Sequence, residues 1–451
     1  MSFNNFKQAE FGKYPVDWSI SNLGEIITVL TDYHANGSYK KLKENVELLD
    51  EENYAIMIRT TNFEQNAFNK QNFKYITQKA YNFLEKTKVY QNDILMNKIA
   101  NAGSVYIVPN FNKQVSLAMN LFLIRMNEKI INQKYAYYFM KNHEKYIKSR
   151  AQGSVTKTIT KHNVRKLEIA YPNIKEQEKI VKIIYDLENK IEINNQINKN
   201  LEQIAQTIFK HWFVDFEFPN KEGKPYKSSG GQMVESKLGM IPKGWKVVQL
   251  GQLVNTYNGY SYKGKELLKS KDAMVTIKNF DRNGNYKLDG LKEIVISDRV
   301  KQHHYVNIND VIVAHTDLTQ KAEIIGNPIM IFTKGKYDKI IMSMDTVKVI
   351  PKFKEYNNCL IYFVLKDYRF KKYALGYVSG TTVLHLSKST ILKYKIAISH
   401  NKNVEKQLGD IFSAIMSKVS NNYKENERLT KIRDILLPKL MSGEIRVPLN
   451  N

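Results

Sequence analysis

The sequence predicts an α+β chain. Two mixed α/β domains, related by internal duplication, are separated by two long antiparallel coiled-coil helices. Three observations predict it: a repeat with an offset of about half the chain, β-type runs in the first part of each repeat, and a heptad stripe in the second.

The repeat comes first. Gly12-Lys13-Tyr14-Pro15-Val16-Asp17-Trp18 with Leu23-Gly24 returns as Gly239-Met240-Ile241-Pro242-Lys243-Gly244-Trp245 with Leu250-Gly251, an offset of 239 − 12 = 227. Asp93-Ile94-Leu95 matches Asp310-Val311-Ile312, and Ala118-Met119-Asn120 matches Ser343-Met344-Asp345. Tyr137-Tyr138 matches Tyr362-Phe363, Gly153-Ser154 matches Gly380-Thr381, and Ile169-Ala170 matches Ile396-Ala397. Leu201 and Ile204 match Leu429 and Ile432. Collinear matches over this length identify a duplicated domain rather than a short solenoid repeat.

Stretches 12–170 and 239–400 carry short β-type runs. Val105-Tyr106-Ile107-Val108, Leu121-Phe122-Leu123-Ile124 and Ile329-Met330-Ile331-Phe332 are examples, separated by Gly, Asn, Asp and Pro. A helical piece is expected at 133–149, with its counterpart at 358–374. The repeated Trp18 and Trp245 read as core anchors.

Stretches 175–211 and 404–440 read as long helices. Ile180, Ile184, Leu187, Ile191, Asn194, Asn198 and Leu201 alternate steps of four and three, as do Leu408, Phe412, Ile415, Val419, Asn422, Asn426 and Leu429. That spacing is the seam of a coiled coil. Two successive seam positions are Asn in each copy, and polar seam residues fix register. Each helix offers the other its unburied stripe, and a pseudo-twofold relation between the copies makes the pairing antiparallel. A 35-residue helix spans roughly 50 Å. The expected rod with a domain at each end is of the order of one DNA turn, about 34–36 Å.

Charge and chemistry narrow the function. Of 451 residues, 69 are Lys or Arg and 44 are Asp or Glu, a net charge of +25. Only ten are Arg, so 69 − 10 = 59 are Lys; part of the excess reflects A·T-rich coding. The remainder suits a polyanionic partner, nucleic acid first. A single cysteine, Cys359, excludes a disulfide framework and Cys-based zinc sites and fits a reducing cytoplasm. No apolar run approaches the roughly 20 residues of a membrane span, and Met1–Phe6 does not begin a signal peptide. A soluble, cytoplasmic chain is expected.

No catalytic constellation stands out. Gly259-Tyr260-Ser261-Tyr262-Lys263-Gly264-Lys265 begins like a phosphate-binding loop but continues with Glu266 where Ser or Thr would hold Mg²⁺. The acidic-x-Lys triplets at Glu188, Glu222 and Glu235 have no partner carboxylate on a strand. His303-His304 lacks further ligands at metal spacing and reads as exposed and polar. A nucleophile elbow and a dinucleotide fingerprint are absent.

Three segments carry a resemblance. They are the connector His211-Trp212-Phe213-Val214-Asp215-Phe216-Glu217-Phe218-Pro219, the stretch Tyr226–Met233 running on through Ser236–Trp245, and the terminal Leu436–Val447. Together they resemble the DNA-specificity (S) subunit of a type I restriction-modification enzyme, over almost the whole chain. The resemblance implies target-recognition domains at 1–172 and 226–402, a central helical conserved region with connector at 173–225, and a C-terminal one at 403–451. It further implies a non-catalytic subunit that binds double-stranded DNA and reads a bipartite target. Two modification (methyltransferase) subunits and the restriction (translocase/nuclease) subunits would dock on it. S-adenosylmethionine, ATP and Mg²⁺ would be held by those partners, with no cofactor or metal in this chain. The two recognition domains share few polar loop residues, which favours an asymmetric target. A recognition subunit of a type IIB-like system is the alternative.

Base reading needs forked or amide side chains on loops, beside lysines that grip phosphates. Candidates in the first domain are Tyr33, His34, Asn36, Arg59, Thr61, Asn62, Asn97, Lys98 and Asn101. Gln152, Ser154 and Thr156 beside Gly153 complete that set. In the second they are Tyr260, Tyr262, Lys263, Lys278, Asn279, His315, Thr316, Asp317 and Thr319. Thr381, Thr382 and His385 beside Gly380 complete it. If the helices act as a ruler, deleting one heptad from both shortens the unread spacer in the methylated sites of the host genome or abolishes activity. An unchanged spacer rejects the ruler.

Overall fold

The computed structural model describes residues 6–66, 73–154, 156–282 and 284–448. They form two compact units, 1–189 with 429–451, and 190–428. Both units are built on one plan.

In the first unit a four-stranded antiparallel sheet runs in the order Ile27–Asp32, Leu121–Met126, Ile94–Asn97, Val105–Ile107. Its central strands are apolar on both faces because both are covered. Ile94, Met96, Phe122 and Ile124 point into a core shared with helix Gln133–Asn142. Leu95, Leu121 and Leu123 point the other way, towards a three-stranded sheet of Lys74–Ile76, Ala55–Ile58 and Gln114–Leu117. The pair Ala55–Ile58 and Gln114–Leu117 is parallel.

The second unit repeats this. Its four-stranded order is Val254–Asn258, Thr346–Pro351, Val311–Ala314, Pro328–Met330. Its three-stranded sheet joins Lys292–Glu293, Ala273–Val275 and Ile340–Met342, with the last two parallel. A hairpin, Phe6–Ala9 with Gly12–Pro15, recurs as Met233–Ser236 with Gly239–Pro242. Trp18 is 1% and Trp245 9% exposed, so both are core residues. Cys359 is buried in helix Asn358–Lys366, whose residues Cys359 to Leu365 are all buried.

The long helices span Ile174–Phe209 and Asn403–Met441. Asn173 accepts the Glu176 N–H at 3.1 Å and starts the first. It ends in a π-turn at Lys210–Val214, after which Phe216 takes a positive φ of 63° and turns the chain.

Each unit contains a segment of both helices. In the first, Ile180 and Ile184 are fully buried in a core with Leu436, Leu440 and Met441, and Leu187 is half-buried. There the tail residue Arg446 pairs with the buried Glu176 and with Asp17. In the second, Leu408, Phe412 and Val419 are fully buried, while Ile191, Leu201, Ile415 and Asn426 are half-buried. Leu429, half-buried, falls in the first unit.

The seam asparagines meet one another. Asn194 Nδ2 donates to Asn426 Oδ1 and to Glu425 Oε2, both at 2.9 Å. Asn422 Nδ2 donates to Asn198 Oδ1 at 2.7 Å, and Asn426 Nδ2 to Asn195 Oδ1 at 2.9 Å. As one number rises by four its partner falls by four, so the helices pair antiparallel. Asn194, Asn198 and Asn422 are at most 5% exposed. A slip of the seam would set these amides against apolar side chains.

The His303-His304 expectation is corrected. His304 is buried, its Nδ1 accepting the Lys301 N–H at 3.0 Å, and its ring packs on Tyr260. Burial lowers its pKa. The turn Gln302–His304 folds inward, which local polarity does not reveal.

Replacing Asn422 alone by Leu leaves the Asn198 amide buried without its partner. It should cost about 1–3 kcal/mol. The double change N198L/N422L should recover most of that loss in a urea-denaturation cycle. Additive losses would show that the two amides do not act together.

Candidate nucleic-acid interface

At one end of each four-stranded sheet, backbone hydrogen bonds draw loops together. In the first unit Ile159 N–H donates to Lys98 O, Lys98 N–H to Asn120 O, and Ala118 N–H to Ile58 O, each at 2.9 Å. In the second, Leu386 N–H donates to His315 O (2.9 Å), His315 N–H to Asp345 O (3.1 Å), and Ser343 N–H to Val275 O (2.8 Å). These are the same bonds at repeat-related positions. They gather the chain after Ile58, after Asn97, around Met119 and in the 152–158 turn, with the matching four segments of the second unit.

Several candidates hold these loops in shape. Asn62 is 1% exposed and its Oδ1 accepts the Arg59 N–H at 2.9 Å. Its counterpart Asn279, fully buried, accepts the Thr276 N–H at 2.9 Å and donates to Lys287 O at 2.7 Å. Asn36 has both ends of its amide taken up, donating to Tyr33 O and Thr87 Oγ1 and accepting from Lys86 N–H. Tyr33, Asn97, Tyr260 and Thr316 are buried.

Asp317 is also buried. It accepts the Thr319 N–H and hydroxyl and the Ile324 N–H, all at 2.9 Å. Burial pushes its pKa up, but these donors outweigh that and leave it lowered. Glu266 closes the phosphate-loop-like stretch. The Lys263 N–H, the Arg299 guanidinium and the Tyr260 hydroxyl hold its carboxyl down to about 2. His315 Nε2 donates to Met344 O at 2.6 Å.

Others face outward. His34, Thr61, Asn101, Gln152, Ser154 and Thr156 are exposed in the first unit. Lys263, Lys278, Thr319, Thr381, Thr382 and His385 are exposed in the second. Arg59, Lys98 and Tyr262 are half-buried. Lys98 Nζ lies 2.5 Å from Asp32 and Lys161 Nζ 3.2 Å from it. Burial raises the Asp32 pKa, and the two ammonium groups more than reverse it. Gly153 and Gly380 have φ of 123° and 109°. A Cβ there would sit 2.4 Å from Thr156 O or 2.1 Å from Val383 O, so each turn itself requires glycine.

Sequence reasoning passed over Met119 and Met344. They are 47% and 51% exposed at equivalent places within the clusters, beside Asn120 and Asp345. Their recurrence in the repeat was the available signal. Among the described residues, no group of three or more His, Cys, Asp and Glu side chains is placed to hold a metal ion. No helix among them is long and apolar enough to cross a membrane.

Two loop-bearing units on a repeated scaffold, each packed on paired helix segments, define a duplicated recognition protein. The profile of the type I restriction modification DNA specificity domain matches residues 15–203 and again 242–431, and the chain belongs to that family. The matches start 242 − 15 = 227 residues apart, the offset of the repeat. The type I restriction enzyme MjaIX specificity subunit of Methanocaldococcus jannaschii is 26% identical, over 98% of this chain and 96% of its own length. The HindI specificity subunit of Haemophilus influenzae is 26% identical, over 80% and 88%. The crystal structure of a type I restriction-modification S subunit from M. genitalium covers 100% of this chain and 99% of its own. Its TM-score is 0.50 at 16% identity, a likeness of fold.

Two neighbouring substitutions separate scaffold from contact. Asn279→Ala should lower the melting temperature by several degrees, since it leaves buried backbone groups unpaired at about 1–3 kcal/mol. Lys278→Ala should leave melting unchanged and weaken duplex binding, with a salt slope smaller by about one. The reverse pattern would exchange their roles.

Proposed function

We propose that this chain is the non-catalytic specificity subunit of a type I restriction-modification complex. Each unit reads one half of a bipartite, asymmetric DNA target. Modification and restriction subunits dock on the chain and supply S-adenosylmethionine, ATP and Mg²⁺ chemistry. The observation that carries this reading is a matched loop cluster in each unit with unlike side chains. The first presents Lys98, Asn101, Gln152 and Ser154; the second presents His315, Thr319, Thr381 and His385. Matching scaffolds with unlike outward side chains suit two different half-sites.

The division of labour follows from chemistry. Lysines such as Lys263 and Lys278 meet phosphates, giving affinity and orientation without sequence information. Exposed amides, hydroxyls and imidazoles offer the donor and acceptor pairs that distinguish base edges in the major groove. Asn62 and Asn279 fix the loops beforehand, which lowers the entropy lost on binding.

The test replaces segment 12–170 with that of another family member and co-expresses the chimera with the modification subunits. Sequencing of methylated sites should show one half of the target changed and the other kept. An unchanged target, or one altered in both halves, would refute the assignment. The purified chain alone should show no methyl transfer, ATP hydrolysis or DNA cleavage.

A further inference from the structure

Outside the loop clusters, the two copies differ at the hairpin tip. In the first unit the hairpin tip carries Phe11. Its ring packs 5.2 Å from Phe139, 5.1 Å from His143 and 5.3 Å from Tyr146, between ring centroids. The tip is pinned there, because Glu10 N–H donates to the Glu168 carboxylate at 2.9 Å. Arg150 pairs with Glu10 as well. The void left beside Phe139, His143, Leu167 and Glu168 is only about 10 Å³.

In the second unit the matching place is open. The residue at Phe11's position is Leu238 (11 + 227), and it is 47% exposed; Met240 beside it is 53% exposed. A cavity of about 380 Å³ lies between Phe213, Phe216, Val364 and Ile396. Val364 stands where the first unit has Phe139, and Ile396 where it has Ile169. The pin is also gone, because Glu10 and Glu168 are replaced by Lys237 and Lys395. Lys395, Lys227 and Arg369 line the cavity. Arg369 is held by Asp367 at 2.7 Å, whereas neither lysine has a carboxylate partner among the described residues.

We infer that this cavity is a docking site for a partner protein segment that presents an aromatic side chain flanked by carboxylates. The first unit supplies the template, since an aromatic ring next to a glutamate closes the same place from within. The apolar walls call for an apolar side chain, and the unpaired lysines call for negative charge beside it. Nucleic acid fits the lysines but not the apolar interior. The site lies outside the loop clusters and does not depend on how those loops read DNA.

The probe is the acetylated, amidated peptide Glu-Asp-Phe-Asp-Glu, titrated into the full chain and followed by saturation-transfer NMR. Saturable binding with transfer to the phenyl ring is expected. A peptide with Ala for Phe, and one with Lys for the acidic residues, should bind about tenfold or more weakly, a loss of about 1.4 kcal/mol. The variant L238F/K395E rebuilds the first unit's closure and should lose binding while melting normally. Lys227→Glu, an exposed change, should weaken the acidic peptide alone. Absence of peptide binding to the wild-type chain, or equal binding to L238F/K395E, overturns the inference. So does loss of duplex DNA binding in K227E with peptide binding intact, which would assign the lysines to nucleic acid.

Discussion

An amphipathic helix gains little from its own hydrogen bonds and most of its stability from covering its apolar stripe. That constraint organises this chain. Neither long helix can cover its stripe alone, and each compact unit brings a segment of one against a segment of the other. The first unit therefore needs residues 429–451 from the far end of the chain as much as it needs 1–189. Ile180 and Ile184 are buried with Leu440 and Met441, and the Arg446 pair with Glu176 and Asp17 fastens the tail. In the second unit Leu408, Phe412 and Val419 share one core with Ala205 and Phe209. The asparagines add what apolar burial lacks. Hydrophobic contact tolerates sliding, but a buried amide left without its partner does not.

Upon that frame the sheets hold the loops at fixed positions, so the loops can change without refolding the domain. Asn62 and Asn279 make the same bond to the backbone three residues earlier, at repeat-related positions. Gly153 and Gly380 shape the same turn. Around these fixed points the outward side chains differ. A Lys98–Asp32 ion pair stands in one unit where His315 bonds to Met344 in the other. Buried scaffold residues and outward-facing residues are neighbours in the same short loops, as Asn279 and Lys278 are, so the outward side chains can change while the architecture is retained.

The sequence disclosed the architecture because periodicity and repetition are written in residue type. Four-three spacing put Ile180 to Leu201 and Leu408 to Leu429 each on one stripe of a long helix, and the offset of 227 located both copies. The loops were less legible. Asn279 and Lys278 are neighbours of similar polarity, yet one is enclosed and the other exposed. Only the return of the chain at Lys287 decides which is which. His304 was misread for the same reason: its burial against Tyr260 is a tertiary fact. Met119 and Met344 went unread because an apolar residue in a loop suggests core until its exposure is seen.

Duplication also explains why the copies need not be equivalent. Once two copies share a chain, each is free to lose what the other keeps. Glu10 and Glu168 close the first hairpin over Phe11, while Lys237 and Lys395 in the second cannot form that bond and leave an apolar cavity with a basic lining. The net charge of +25 therefore has at least two meanings in this molecule. Lysines such as Lys278 stand among the loops at the sheet end, but Lys395 lies on the strand paired with Trp245–Gln249 and lines the cavity. A positive charge that replaces a structural carboxylate beside an unfilled apolar wall is poorly placed for a phosphate backbone. It is well placed to orient an acidic protein segment whose apolar side chain completes the core.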